Sequence, residues 1–110
     1  MVWRIRDRST FEALRRSDHR ARRGPVLVTY ATVGEAVKPQ VAYAVGKRVG
    51  KAVVRNRLRR QLRAAVDSTV DLPPGAYLVA ADPVASELSY EDLRTKVATA
   101  MTAASADRRR

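Results

Sequence analysis

Gly50-Lys51-Ala52-Val53-Val54-Arg55-Asn56-Arg57-Leu58-Arg59-Arg60-Gln61-Leu62-Arg63-Ala64-Ala65-Val66, with the strands predicted on either side of it, decides the fold. Val54, Leu58, Leu62 and Ala65 recur at the spacing of one helical face, within about 80° of each other at roughly 100° per residue. Asn56, Arg57, Arg59, Arg60 and Arg63 fall on the opposite side. The pattern predicts a helix over 50–66, stopping before the turn signal Pro73-Pro74-Gly75. Beyond it, Ala76-Tyr77-Leu78-Val79-Ala80-Ala81 is an unbroken apolar run, the mark of a buried strand. Before it, Gln40-Val41-Ala42-Tyr43-Ala44-Val45 reads as another strand. Strand, helix and strand in this order imply a parallel crossover in a mixed sheet covered by helices.

Working outward, Pro25 opens the β-branched and aromatic run Val26-Leu27-Val28-Thr29-Tyr30-Ala31-Thr32-Val33, a further strand. The turn over 34–39 predicts that it forms an antiparallel hairpin with 40–45. Ser9-Thr10-Phe11-Glu12 reads as a capping box opening a helix over 10–17, with Phe11 and Leu14 on one face. Residues 18–24 read as a basic loop. Ser89-Tyr90-Glu91-Asp92 is a second helix start, with Leu88 and Leu93 placed as a staple and Leu93, Val97, Ala100 and Met101 turned inward. Residues 103–110 read as a frayed, disordered basic tail. The expected fold class is an α/β (α+β) sandwich of order αββαβα in a single domain over 1–110.

The 110 residues carry 22 Lys+Arg against 11 Asp+Glu, a net charge of +11. The charge is unevenly placed. Residues 1–23 hold eight arginines against Asp7, Glu12 and Asp18. Residues 47–63 hold eight basic side chains and no acid, while seven acids fall in residues 64–107. A face charged for solubility alone intersperses both signs. An acid-free arginine face instead suits phosphate, because the planar guanidinium forks onto two oxygens and is weakly hydrated. The acidic last third is expected to face away from such a partner.

Other chemistries lack residues. There is no cysteine for a disulfide or a thiolate zinc site, and His19 is the single histidine. Gly46 to Lys51 is one residue short of a phosphate loop, and Ala52 follows the lysine where Ser or Thr is needed. The carboxylates show no motif spacing, so an independent nuclease is disfavoured. No apolar run approaches the roughly 18 residues of a membrane span, and the N-terminus is too charged for a signal peptide. These absences predict a cytoplasmic protein with an anionic partner and no membrane role. Phe11, Tyr30, Tyr43 and Tyr77 could stack on unpaired bases or pack in the core. Packing is the commoner fate for Phe11 and Tyr77, and the pattern leaves Tyr30 and Tyr43 open.

The run Val45-Gly46-Lys47-Arg48-Val49-Gly50-Lys51-Ala52-Val53-Val54-Arg55-Asn56-Arg57-Leu58-Arg59-Arg60-Gln61-Leu62-Arg63 resembles the signature of the bacterial ribonuclease P protein component. That signature has an Arg-Asn-Arg core after a Lys-Lys-Val-Gly-Lys-Ala-Val segment. A Ser-x-Phe start to the first helix, a Val-Leu-Val strand and a Pro-x-Gly before the last strand extend the likeness over about residues 4–102. The resemblance implies a ribosomal protein S5 domain 2-like sandwich whose crossover is left-handed, an exception to the usual rule. It implies the protein subunit of a ribonucleoprotein that removes the 5′ leader from precursor tRNA. The RNA subunit would hold Mg²⁺ and perform the hydrolysis, so the polypeptide needs neither catalytic residues nor a stably bound cofactor. The implied partners are that RNA, in a 1:1 complex, and the single-stranded leader, with no DNA. A non-enzymatic RNA- or DNA-binding module is the alternative that the basic helix alone would satisfy.

Carried across by position, Arg55, Asn56, Arg57, Arg59, Arg60 and Arg63 would contact the RNA subunit, with Lys47, Arg48 and Lys51 extending that surface. Phe11 would line the leader cleft, floored by the sheet face with Tyr30 or Thr29, with Tyr43, and with Tyr77 as a further candidate. Arg15 stands where the family often has a second aromatic, which shifts leader contact toward charge. Ala44 and Gly46 replace frequent serines, Gln40 a frequent arginine, and Asp82 a residue that is commonly basic.

Overall fold

The computed structural model describes residues 3–32 and 38–106. Trp3–Arg4 form a two-residue strand, β1, and Arg8–Arg16 form helix α1. His19–Arg23 (β2) and Val26–Ala31 (β3) precede Pro39–Ala44 (β4). A 3₁₀ turn at Lys47–Val49 leads into helix α2, Ala52–Ser68. Gly75–Ala81 is β5, and a second 3₁₀ turn at Pro83–Glu87 precedes helix α3, Tyr90–Ser105. The six elements expected from the sequence are present in their expected order, with β1 and β2 in addition.

β2 replaces the expected basic loop. It pairs antiparallel with β3 from His19↔Tyr30 to Arg23↔Val26 across a tight turn at Gly24, φ 57°. Its four cationic or imidazole side chains hide the strand pattern, because β2 is an edge strand and only Ala21 packs against the core. Charge on such an edge also discourages pairing with another chain.

The sheet order is β1-β4-β5-β3-β2. β5 lies between β3 and β4, antiparallel to the first and parallel to the second. The expected hairpin of β3 with β4 therefore does not form. β5 is the strand best suited to the centre: Ala76, Tyr77 and Val79 are fully buried, whereas Ala44 of β4 is exposed. The turn expected over 34–39 lies mostly outside the described residues.

Alternation along β3 divides the core. Val26, Val28 and Tyr30 join Val41, Tyr77 and Val79 beneath Leu58, Leu62 and Val66 of α2 and Leu93, Val97 and Met101 of α3. On the opposite face Leu14 of α1 packs with Ile5, Ala31 and Ala76. α1 covers β3 and β5 there and leaves the β4 side of that face open.

The two buried tyrosines hold the entrance to β5. Their ring centroids are 5.0 Å apart at 57°. Tyr30 donates its hydroxyl hydrogen to the Pro74 carbonyl and Tyr77 to that of Pro73, each at 2.7 Å. Gly75 follows at φ 140°, and a Cβ there would stand 2.6 Å from Tyr30 Cε1.

The two helix starts differ. Ser89 caps α3 as expected, accepting from the Asp92 amide at 3.2 Å. α1 begins earlier than expected, with Asp7 as its N-cap, so the Ser9–Glu12 capping box is not formed. Ser9 and Thr10 instead donate to the Asp7 carboxylate, Thr10 at 3.0 Å. These bonds, that from Ser9 foremost, hold the Asp7 carboxyl below its usual range. A negative cap also suits the helix dipole. At the other end α3 continues through Ser105, with Ala104 and Ser105 buried and Ser105 Oγ donating to the Met101 carbonyl at 2.9 Å. The frayed tail expected from residue 103 is thus helix up to Ser105, because Ala104 belongs to the core; 107–110 lie outside the described residues.

Candidate nucleic-acid interface

Leu58, Leu62, Ala65 and Val66 anchor α2 on the sheet. That anchoring turns Asn56, Arg57, Arg60 and Arg63 outward, and all four are exposed. Lys47, Arg48 and Lys51, at the 3₁₀ turn and the α2 N-cap, are exposed beside them. Arg57 and Arg60 line a shallow groove on this outer face with Val53, Asn56, Arg59 and Arg63. Ion pairs form elsewhere, between Arg15 and Glu12, Arg22 and Asp82, and Arg94 and Glu91. Among the described residues no carboxylate is paired with a cation of α2, so the guanidiniums of this face keep their charge for an external anion.

Two arginines of α2 sit differently. Arg59 is half-buried and braces the helix, donating to Asn56 Oδ1 at 3.0 Å and to the Val45 carbonyl at 3.2 Å. The second bond ties α2 to the chain leaving β4. Arg55 is half-buried with its Nε enclosed and without a hydrogen-bond partner, which places it at the margin of the basic face.

Around the edge of β4 the basic face runs into a cleft of about 650 Å³. One wall carries Arg4, Ile5 and Phe11; the other carries Arg59, Arg63 and Asp67 of α2; Ala42, Tyr43, Ala44 and Leu78 lie between them. Phe11 is 42% exposed, enough ring surface for a base to stack on. The Arg63 guanidinium carbon stands 5.9 Å from the centre of the Tyr43 ring.

Burial, reinforced by the Asp67 charge and opposed by Arg63, pushes the Tyr43 hydroxyl up to about 12. It therefore remains a hydrogen-bond donor at neutral pH. Because the folded value lies above the ordinary one near 10, this group's stabilisation is complete below about pH 10 and is lost as the pH rises through 12. A phenolate absorbance titration is expected to show Tyr43, identified by its absence in Tyr43→Phe, ionising well after a free tyrosine.

Phe11 and Tyr43 are the expected cleft residues that the structure brings together. Tyr30 is fully buried on the α2–α3 side of the sheet, its hydroxyl committed to Pro74, so it cannot floor the cleft. Tyr77 is buried with it. Thr29 is 7% exposed and does not line the cleft, whose floor is Ala42 and Leu78. Arg15 is exposed, pairs with Glu12 at 3.1 Å and lies outside the cleft lining. Arg4 and Asp67 were not anticipated. Asp67 stands one helical turn after Arg63 and was legible from that spacing, whereas Arg4 required the pairing of β1 with β4. Asp67 also corrects the expectation that the acids all face away from the basic surface.

A sequence profile of the ribonuclease P family matches residues 2–105. The chain belongs to the ribonuclease P family. No curated protein sequence matches significantly. Among solved structures, a Staphylococcus aureus RNase P protein, a mutant with defective mRNA degradation activity, superposes with a TM-score of 0.81 at 18% identity, covering 91% of this chain and 86% of that one. Another S. aureus RNase P protein structure gives 0.79 at 19% identity, covering 91% and 93%. The RNase P protein from Thermotoga maritima gives 0.74 at 22% identity, covering 87% and 92%. These likenesses establish the fold. Membership of the ribonuclease P family gives the chain its role, the protein subunit of a tRNA-processing ribonucleoprotein associated with ribonuclease P RNA. Among the described residues no helix is long and apolar enough to cross a membrane.

Proposed function

We propose that the outer face of α2 docks one copy of the chain onto the catalytic RNA, while the adjoining cleft takes the single-stranded 5′ leader of precursor tRNA. The observation that carries this reading is the junction at the β4 edge. There an arginine face with no carboxylate partner among the described residues opens into a cleft holding an exposed phenylalanine. Guanidinium groups hold phosphates, and an exposed ring stacks on any unpaired base. A double helix would not present its bases to such a ring, but an unpaired leader would. Apart from Asp67, the functional groups at these surfaces are guanidinium, ammonium, amide, phenyl and phenol groups, which bind rather than transfer protons at neutral pH. Hydrolysis belongs to the RNA subunit with its Mg²⁺, and the complex acts in the cytoplasm, where precursor tRNA is processed.

The reconstituted holoenzyme is expected to bind precursor tRNA more tightly than mature tRNA. Phe11→Ala should remove about 1–3 kcal/mol of affinity from the precursor alone, as expected for one lost stacking contact. Fluorescence titration of both tRNAs checks this. Equal losses for precursor and mature tRNA would contradict a leader cleft.

A further inference from the structure

One uncharged polar side chain stands within the arginine face of α2. Asn56 is exposed, so packing gains it little, and asparagine is a poorer helix former than the arginines around it. It lies in the outer groove with Arg60 one helical turn away. Arg59 differs from the other arginines of that groove. Arg57, Arg60 and Arg63 are exposed, whereas Arg59 is half-buried and both of its terminal nitrogens already bond protein oxygens. Nη1 donates to Asn56 Oδ1 at 3.0 Å and Nη2 to the Val45 carbonyl at 3.2 Å. A polar pair three residues apart adds little to helix stability. What this pair fixes is the amide. An amide has an acceptor end and a donor end, and an ionised phosphate oxygen can only accept. Because Arg59 occupies Oδ1, the two N–H groups of Nδ2 are left to the groove, and among the described residues no acceptor takes a bond from them.

We propose that Arg59 is a positioning residue: it holds Asn56 so that the amide donates to a phosphate of the RNA subunit, and it does not itself grip a phosphate. The Val45 bond anchors the guanidinium from the other side, so Arg59 cannot swing outward without releasing the tie between α2 and the chain leaving β4. An unheld asparagine presents its oxygen as readily as its nitrogen, and an amide oxygen facing a phosphate is repelled. The arginine thus removes the wrong orientation before the RNA arrives, which lowers the cost of binding. This inference rests on the docking reading above and adds to it how one side chain of the face acts through another. It replaces the expectation that Arg59 contacts the RNA directly.

The test measures binding of the chain to bacterial ribonuclease P RNA over a range of salt, for Asn56→Ala, Arg59→Met and the double variant. Methionine keeps an unbranched stem of good helix propensity and has no donor. Asn56→Ala is expected to weaken binding roughly 10- to 100-fold, the scale of one hydrogen bond to a charged group. Arg59→Met should cost a similar factor with Asn56 present, but no more than about 2-fold once Asn56 is alanine. Its slope of log K against log salt should stay close to that of the wild type, whereas a lost phosphate contact would flatten it by roughly 0.7–0.9. Losing the Val45 brace lowers the melting temperature, but that alone creates no coupling between positions 56 and 59 in RNA affinity. An NMR titration of the wild type with inorganic phosphate needs no variant at position 59. There the Asn56 side-chain amide signals should shift and the Arg59 Nε–H signal should not. Additive losses in the double variant, a flattened slope in Arg59→Met, or a shift at Arg59 without one at Asn56 each overturn the inference. If Asn56→Ala and Arg57→Ala/Arg60→Ala all bind the RNA like the wild type, the docking reading fails as well, which separates the two failures.

Discussion

Replacing Arg57 and Arg60 together by alanine is expected to weaken binding to the ribonuclease P RNA by about 2–4 kcal/mol, the scale of two lost charge-assisted contacts. Both side chains are exposed on the outer face of α2, and no carboxylate among the described residues pairs with them. Little protein stability should be lost, since alanine is the best helix former and the apolar face of Leu58 and Leu62 is untouched. The salt dependence carries more information than the affinity. Each phosphate contact contributes roughly 0.7–0.9 to the slope of log K against log salt, so the double variant should flatten it by about 1.5. An unchanged slope would mean that these guanidiniums face only water. Arg59→Ala should behave differently, because Arg59 also braces α2 to the Val45 carbonyl. Its loss combines weaker RNA binding with lower stability.

Gly75→Ala carries the largest expected effect on folding, about 3–5 kcal/mol. Three costs coincide at this position. A φ of 140° is strained for any residue with a Cβ, and that Cβ would stand 2.6 Å from Cε1 and 2.7 Å from the hydroxyl oxygen of Tyr30. Tyr30 cannot easily give way, since it is fully buried against Tyr77 and bonded to Pro74. Moving it would leave its hydroxyl without a partner in the core. Thermal unfolding by circular dichroism should show a midpoint lower by roughly 10–20 °C. A loss below about 1 kcal/mol would mean that the tyrosine pair does not hold the β5 entrance. Tyr30→Phe offers the milder comparison, keeping the ring and removing only the bond to Pro74, at about 1 kcal/mol.

The elements best read from the sequence were those whose pattern is set by burial. α2 shows its apolar stripe and its arginine face in one segment, and β5 is apolar throughout. Chemistry dominated by charge hid more. β2 is a strand because its backbone pairs with β3, although Arg20, Arg22 and Arg23 mask any alternation. Strand neighbours were also beyond local pattern, because β5 enters between β3 and β4 from more than thirty residues away. The same insertion buries Tyr30, which depends on the parity of Val26, Val28 and Tyr30 within β3 and on β5 beside it. The arginine face needed only one helix to be correct. The cleft needed α1, β1, β4 and α2 together, which is why Phe11 and Tyr43 were legible as candidates while Arg4, placed only by the pairing of β1 with β4, was not.

The central claim is that this chain assists a catalytic RNA by holding it and the leader of its substrate. Reconstitution tests it most directly: bacterial ribonuclease P RNA is assayed on precursor tRNA at low Mg²⁺, with and without the protein. The account predicts that adding the protein raises the rate of leader removal and that Arg57→Ala/Arg60→Ala reduces the gain. Cleavage that is no faster with the wild-type protein than with the RNA alone would contradict it.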